Sequence, residues 1–292
     1  MLYLLAASFV WAFSFGLLKH VLIAPGLDPS VVAAARLAVA SLAVAPFLRV
    51  GGIPASLRWK LAAVGLVQYG LMYLLYTASF AYLPSHQVAA FTVFTPLYVT
   101  LLDDAEKRRV NYWAMGAVVL AMVGAGLVLR SGFSLRASLT GFALVQGSNA
   151  CFAMGQLAYR HLAGTGQAGP GLRHFGLLYL GGLAAAVAPA ALGTKPFALT
   201  WSQGFTLLYL GVVPSGLGFL LWNAGACRVR TATLAVMNNA KIPLAVIVSI
   251  LVFGESADAV LLAIGLVFMG VALWMGERRS WRDSPVGGAR PA

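Results

Sequence analysis

Charge is what this sequence has least of. Of its 292 residues only 10% are charged, and just 8 are Asp or Glu. A soluble globular domain carries about a quarter charged residues, so this composition excludes one. Cysteine is scarce as well: Cys151 and Cys227 are too few for a disulfide framework. A lone thiol in an apolar stretch behaves as a small hydrophobe. The histidines (His20, His86, His161 and His174) are too dispersed to suggest a metal-ligand cluster. The sequence has no Walker loop, no GxSxG nucleophile elbow and no HExxH helix, each of which would mark an enzyme. No enzymatic activity, cofactor or metal is therefore expected.

What the chain has instead is apolar length. Hydrophobic residues make up 60% of it, and the mean hydropathy is +0.85. A spanning helix needs roughly 20 apolar residues. Ten windows qualify, near 2–22, 30–48, 60–82, 85–102, 112–129, 138–160, 173–192, 203–226, 231–253 and 258–276. The fold class is an all-α membrane protein with ten transmembrane helices. Residues 280–292, rich in Pro, Gly and Arg, read as a disordered tail.

The net charge of +12 does not point to nucleic acid, because the basic residues are scattered and form no stripe. They sort by side of the membrane. With the N-terminus inside, fourteen Lys and Arg fall in inner loops, against Arg130, Arg136 and Lys195 outside. The positive-inside rule then places both termini in the cytoplasm of a bacterial-type inner membrane. Lys19-His20 is a local signal against this orientation.

An internal repeat divides the chain into 1–134 and 135–279. Thr95-Pro96-Leu97 precedes Ile242-Pro243-Leu244 by 147 residues, and Glu106 and Gly116 precede Glu255 and Gly265 by 149. Trp11-Ala12 and Lys19-His20 precede Phe152-Ala153 and Arg160-His161 by 141. The offsets drift as loop-length changes in a duplicated unit would make them. Five spans per half is an odd number, so the halves enter the membrane from opposite sides. Inverted repeats of this kind are typical of secondary transporters, with the substrate site near the midplane.

Trp11-Ala12, Pro96 with Glu106, Gly116, Pro243, Gly254-Glu255 and Gly265 together resemble the drug/metabolite transporter superfamily, in particular its EamA-like ten-helix exporters. The resemblance covers residues 1–277. Within the superfamily the chain is similar to the YddG-type amino-acid exporters, which implies export of aromatic or neutral amino acids or similar small metabolites. It departs from the pattern in having Ala105-Glu106 where the second half has Gly254-Glu255.

Lys241 is the first candidate for the substrate site. It lies in mid-span, and a charge there costs about 2.5–3.5 kcal/mol on insertion scales unless it meets a partner, water or substrate. Asn238 shares its helix face, and Pro243 frees carbonyls one turn back. An ammonium beside broken backbone makes a carboxylate site. At the repeat offset Asn238 and Lys241 correspond to Phe91 and Phe94. With Gln87 and Tyr98 these form an aromatic face that would be the apolar wall; alone, such a stripe reads as ordinary packing. Tyr73 and Tyr76 lie on one face of the third span with Tyr69 and Phe80. Asn149, flanked by Gln146 and Gln156, either lines the cavity or glues helices. Trp11 and Trp222 are further cavity candidates.

Arg36 reads as structural, Lys19 and His20 as interfacial anchors, and Glu106 and Glu255 as partners of bases or helix caps. All eight acids lie outside the span cores, which argues against carboxylate-based proton exchange. Pro96, Pro243 and Pro214 are the hinge candidates. The expected partners are a small-molecule substrate and membrane lipid, with no nucleic acid, and the expected oligomeric state is a monomer. Two other readings stay open: export of lipophilic cations, or a membrane enzyme or sensor without flux. The charge bias makes a direct prediction: a periplasm-active phosphatase fused after Ala292 is inactive and a cytoplasm-active fluorescent reporter there is bright. The reverse pair of signals would invert the topology.

Overall fold

The computed structural model describes residues 2–106, 108, 112–129, 135–164, 172–193, 198–229, 237–238 and 241–282. Among them, ten helical stretches follow one another. The first four are α1 (Leu2–Ile23), α2 (Pro29–Phe47), α3 (Ala55–Ser79) and α4 (Ser85–Glu106). Then come α5 (Tyr112–Leu129), α6 (Leu135–Gly164) and α7 (Leu172–Ala191). The last three are α8 (Trp201–Ala226), α9 (Lys241–Leu251) and α10 (Ala259–Arg282). The described part of the ninth span is shorter than the sequence window because residues 230–236 and 239–240 lie outside the described set. Most of the expected tail, 283–292, and residues 130–134 at the expected boundary between repeats also lie outside it.

Helix starts follow from their capping residues. Asp28 accepts the Ser30 backbone N–H at 2.9 Å to open α2. Thr200 and Gln203 cap α8 reciprocally, and Asp258 accepts two N–H groups at the start of α10. Each cap satisfies donors that lipid would leave unpaired.

The most extensive packing pairs α2 with α7, α4 with α9, α5 with α10, α3 with α6 and α7, α8 with α1 and α2, α1 with α9, and α4 with α6. Exchanging the first five helices for the last five leaves these pairs unchanged, while smaller contacts, such as α2 with α3 and α1 with α4, have no such counterpart among the described residues. The tightest crossing is α3 on α7, where glycines let two backbones touch. A Cβ on Gly65 would strike the Leu178 carbonyl, and one on Gly181 the Ala62 carbonyl. Such small-residue contacts replace the hydrophobic driving force that lipid removes.

At the end assigned to the outside, the turn after α9 plants an acid between helices. Gly254 has φ +66°, a left-handed conformation that glycine adopts without steric cost. The Gly254 N–H then returns to the Ile250 carbonyl and the Glu255 N–H to the Ser249 carbonyl, both at 3.2 Å, closing the helix with an αL cap. This aims the Glu255 side chain at the first turn of α4, where it accepts the Ser85 and His86 backbone N–H groups at 2.7 and 2.9 Å. His86 Nδ1 lies 2.7 Å away and His20 Nε2 of α1 lies 2.9 Å away. The expectation that Glu255 caps a helix and pairs with bases is met. His20 serves this carboxylate, while Lys19 donates to the Phe80 carbonyl at 2.6 Å. Burial alone would push the Glu255 carboxyl up, but its hydrogen bonds, those from His86 foremost, hold it down to about 2.

Two predictions follow from these contacts. Gly181→Val lowers the melting temperature in detergent by several degrees, whereas Gly126→Ala, with open space around its Cβ, leaves it unchanged. Glu255→Gln lowers the melting temperature at pH 7 by roughly 3 °C. A depressed carboxyl contributes its stability above its unfolded pKa and loses it as pH falls through the folded one. The gap between wild type and Glu255→Gln therefore closes as the pH falls from about 4 towards 2, which a differential scanning fluorimetry series would reveal.

Candidate functional site

Three spans depart from regular α-helix, α3 and α8 within their length and α1 at its C-terminal end. Wide turns run over Leu17–Ile23 in α1, Leu66–Leu71 in α3 and Gly211–Leu217 in α8. A tighter turn, Thr92–Phe94, precedes Pro96 in α4. Breaks of this kind free carbonyls that must find donors inside the protein. In α8 the Trp11 indole N–H donates to the Pro214 carbonyl at 2.8 Å. The Tyr179 hydroxyl lies 2.6 Å from the Ser215 carbonyl and 3.0 Å from that of Gly216. The Ser215 hydroxyl turns back to the Leu210 carbonyl at 2.6 Å. In α4 the Asn149 amide donates to the Phe91 carbonyl at 2.9 Å and accepts from the Thr95 hydroxyl at 3.1 Å.

These repairs surround a cavity of about 530 Å³, counted with its mouth. Trp11, Phe15, Tyr73, Tyr76, Phe152, Phe219 and Met72 form its apolar lining. Ser14, Thr92, Thr95, Ser148 and Asn149 add neutral polar groups, and Arg36 and Lys241 add two cations. Among the described residues no acid lines it. Among the lining aromatics, Trp11 and Phe152 stand 141 residues apart and Tyr73 and Phe219 146 apart; the cavity candidate Trp222 does not line the cavity but packs behind Trp11. The Trp11 ring lies 5.2 Å from Phe219 and 5.1 Å from Trp222.

Lys241 is 7% exposed. Its Nζ donates to Asn238 Oδ1 at 3.1 Å and sits 4.9 Å from the Trp11 ring centre. Arg36 is 1% exposed. Its Nη2 donates to the Tyr73 hydroxyl at 3.0 Å and to the Ser215 hydroxyl at 3.1 Å, with the guanidinium 4.4 Å from the Tyr73 ring centre. Among the described residues neither cation has a carboxylate within ion-pair distance. Two buried cations without a counter-charge, in a cavity with aromatic walls, can hold an anionic solute with an apolar body.

Of the residues singled out from sequence, the cavity gathers Trp11, Tyr73, Tyr76, Asn149 and Lys241, with Asn238 holding the lysine. It leaves out the aromatic face of the fourth span. The Phe91 and Phe94 rings meet Phe142 of α6 edge-on at 5.1 and 5.8 Å, and Tyr98 is half-buried away from the cavity. Helix packing claims that stripe, and only the Phe91 carbonyl reaches Asn149. Pro214 lies in the wide turn of α8, Pro96 directly follows the tighter turn within α4, and Pro243 lies in the described part of α9.

Arg36 is the residue that sequence reasoning misplaced. It lies seven residues beyond Pro29, about 10 Å along α2, and that depth was the available signal. Phe152 was marked only by its repeat offset from Trp11, and Thr92, Thr95, Ser148 and Phe219 carried no signal at all, being ordinary residues in apolar helices.

Comparison with known proteins fits this geometry. The model of the EamA-like transporter family matches residues 1–130. A probable biotin transporter of Pseudomonas aeruginosa is 34% identical over 278 residues, covering 94% of this chain and 96% of that protein. The biotin transporters of Salmonella typhimurium and Escherichia coli are each 34% identical over 281 residues, covering 95% of this chain and 92% of theirs. These relatives carry a different substrate name from the amino-acid exporters that the sequence resemblance implied. A crystal structure 16% identical in sequence superposes with a TM-score of 0.66 over 97% of this chain and 98% of its own, and so shares the fold. This chain, a multi-pass membrane protein, belongs to the EamA-like transporter family of the drug/metabolite transporter superfamily.

Proposed function

We propose that this protein is a secondary transporter of the bacterial inner membrane whose central cavity carries a small monocarboxylate with an apolar body, biotin in the first place. The observation that carries the reading is the buried Lys241 ammonium, held by Asn238 and backed by Trp11, in a cavity that no acid lines among the described residues. A substrate carboxylate would complete its coordination, and the ring system of biotin would lie against Trp11, Tyr73, Tyr76, Phe152 and Phe219. The names of the 34%-identical relatives support biotin.

Transport would proceed by alternating access between two inverted halves, divided near residues 134 and 135, with both termini cytoplasmic. The broken turn around Pro214 is the natural hinge, and Pro96 and Pro243 mark related positions in the two halves. Glu255 ties α1, α4 and the turn after α9 together at one end, and outward opening would separate them. Alternating access is reversible, so the gradient sets the direction, export included. A second reading is export of aromatic or neutral amino acids, favoured by the aromatic walls. Lipophilic cations fit worse, because the cavity already holds two positive charges.

The test is counterflow in proteoliposomes preloaded with biotin and assayed with labelled biotin. Wild type exchanges label, and Lys241→Ala at equal reconstitution lowers the initial rate at least 10-fold. Labelled phenylalanine exchanging where biotin does not would transfer the assignment to amino acids. Unchanged biotin flux in Lys241→Ala would remove the lysine from the site.

A further inference from the structure

We propose that Arg36 is the specificity determinant of this cavity: it makes the site select carboxylates that lack an amino group over the corresponding zwitterionic amino acids. The inference rests on the cavity being the transport site and deepens that reading.

A guanidinium has five N–H donors and no acceptor, and it stays charged at any physiological pH. Two of the five, those on Nη2, are engaged by the Tyr73 and Ser215 hydroxyls. Those hydroxyls are saturated in turn. Ser215 spends its proton on the Leu210 carbonyl at 2.6 Å, and Tyr73 lies 2.9 Å from Ser215 Oγ, to which its own proton goes. Arg36 is thus oriented by neutral groups that supply no charge. Its Nε and Nη1 are buried without an acceptor, on a residue that lines the cavity. Buried donors left unpaired are costly, and a charged group more so. The acceptor they lack is one the substrate can bring.

An amino acid brings an acceptor and a cation together. Its carboxylate would satisfy Lys241 or Arg36, but its ammonium would then enter a chamber that holds two positive charges and, among the described residues, no acid. Asn149 Oδ1 already accepts from Thr95. Specificity of this kind comes as much from an unpaired charge on the wrong ligand as from contacts to the right one. An amine-free carboxylate has no such conflict, and it offers acceptor atoms to both cations.

The experiment uses matched pairs differing by the amino group: phenylpropionate with phenylalanine, and isocaproate with leucine. Each is scored by its ability to drive counterflow in proteoliposomes holding the full chain. Wild type prefers the amine-free member at least 10-fold. Arg36→Gln brings the ratio to within about 3-fold of parity, while Arg36→Lys, which keeps the charge, retains the preference. Should Arg36→Gln fail to reach the membrane, the wild-type ratio and the Arg36→Lys ratio decide alone. A wild type that takes both members equally, or an Arg36→Gln variant with an unchanged ratio, overturns the proposal. Loss of the preference in Arg36→Lys assigns it to guanidinium geometry and overturns the charge argument. Flux of no member in wild type is a different failure: it removes the transport reading of the cavity, and this inference with it.

Discussion

Lipid cannot hydrogen-bond a carbonyl, and that constraint organises the middle of this protein. Wherever a span departs from the regular helix, a side chain from another element must supply the missing donor. Trp11 serves Pro214, Tyr179 serves Ser215 and Gly216, and Asn149 serves Phe91. The broken turns and the side chains that repair them converge, so polar groups that would be dispersed in a straight bundle collect at one depth. The cavity is the space between these repairs, and Arg36 and Lys241 line it.

Charge is partitioned with the same economy. Glu255, whose side chain is enclosed, is placed by a left-handed glycine against a helix N-terminus and two histidines, a setting made to stabilise an anion. The cavity receives the opposite treatment: two cations held by neutral hydroxyls, an amide and aromatic faces. Anion-stabilising groups and unpaired cations stand in separate clusters. The first joins helices, and the second is left with free donors that a solute can use.

Symmetry explains why part of the site was legible and part was not. Lys241 stood out because a charge in mid-span has few explanations, and Asn238 followed from helical spacing. Trp11, Tyr73 and Tyr76 were visible as large aromatics at regular intervals. Projecting the lysine face onto the first half by the repeat offset, however, led to Phe91 and Phe94, whose rings instead pack on Phe142. The true counterparts of the cavity aromatics lie in α6 and α8, as Phe152 and Phe219. The two halves share a backbone plan, but each has chosen its own lining.

The sequence by itself determined the ten spans, the predicted sidedness and the expectation of a paired architecture, because those depend on hydrophobic length and on the placement of charge. It also marked Lys241 as a charge in need of a reason. Tertiary structure decided what surrounds that charge. It moved Arg36 from a supporting role to the cavity wall, turned the fourth span's aromatic stripe away, and enclosed Glu255 although it lies outside every span. The physical reason is that a helix has one sequence but several faces, and only the packing of its neighbours decides which face meets water, lipid or substrate.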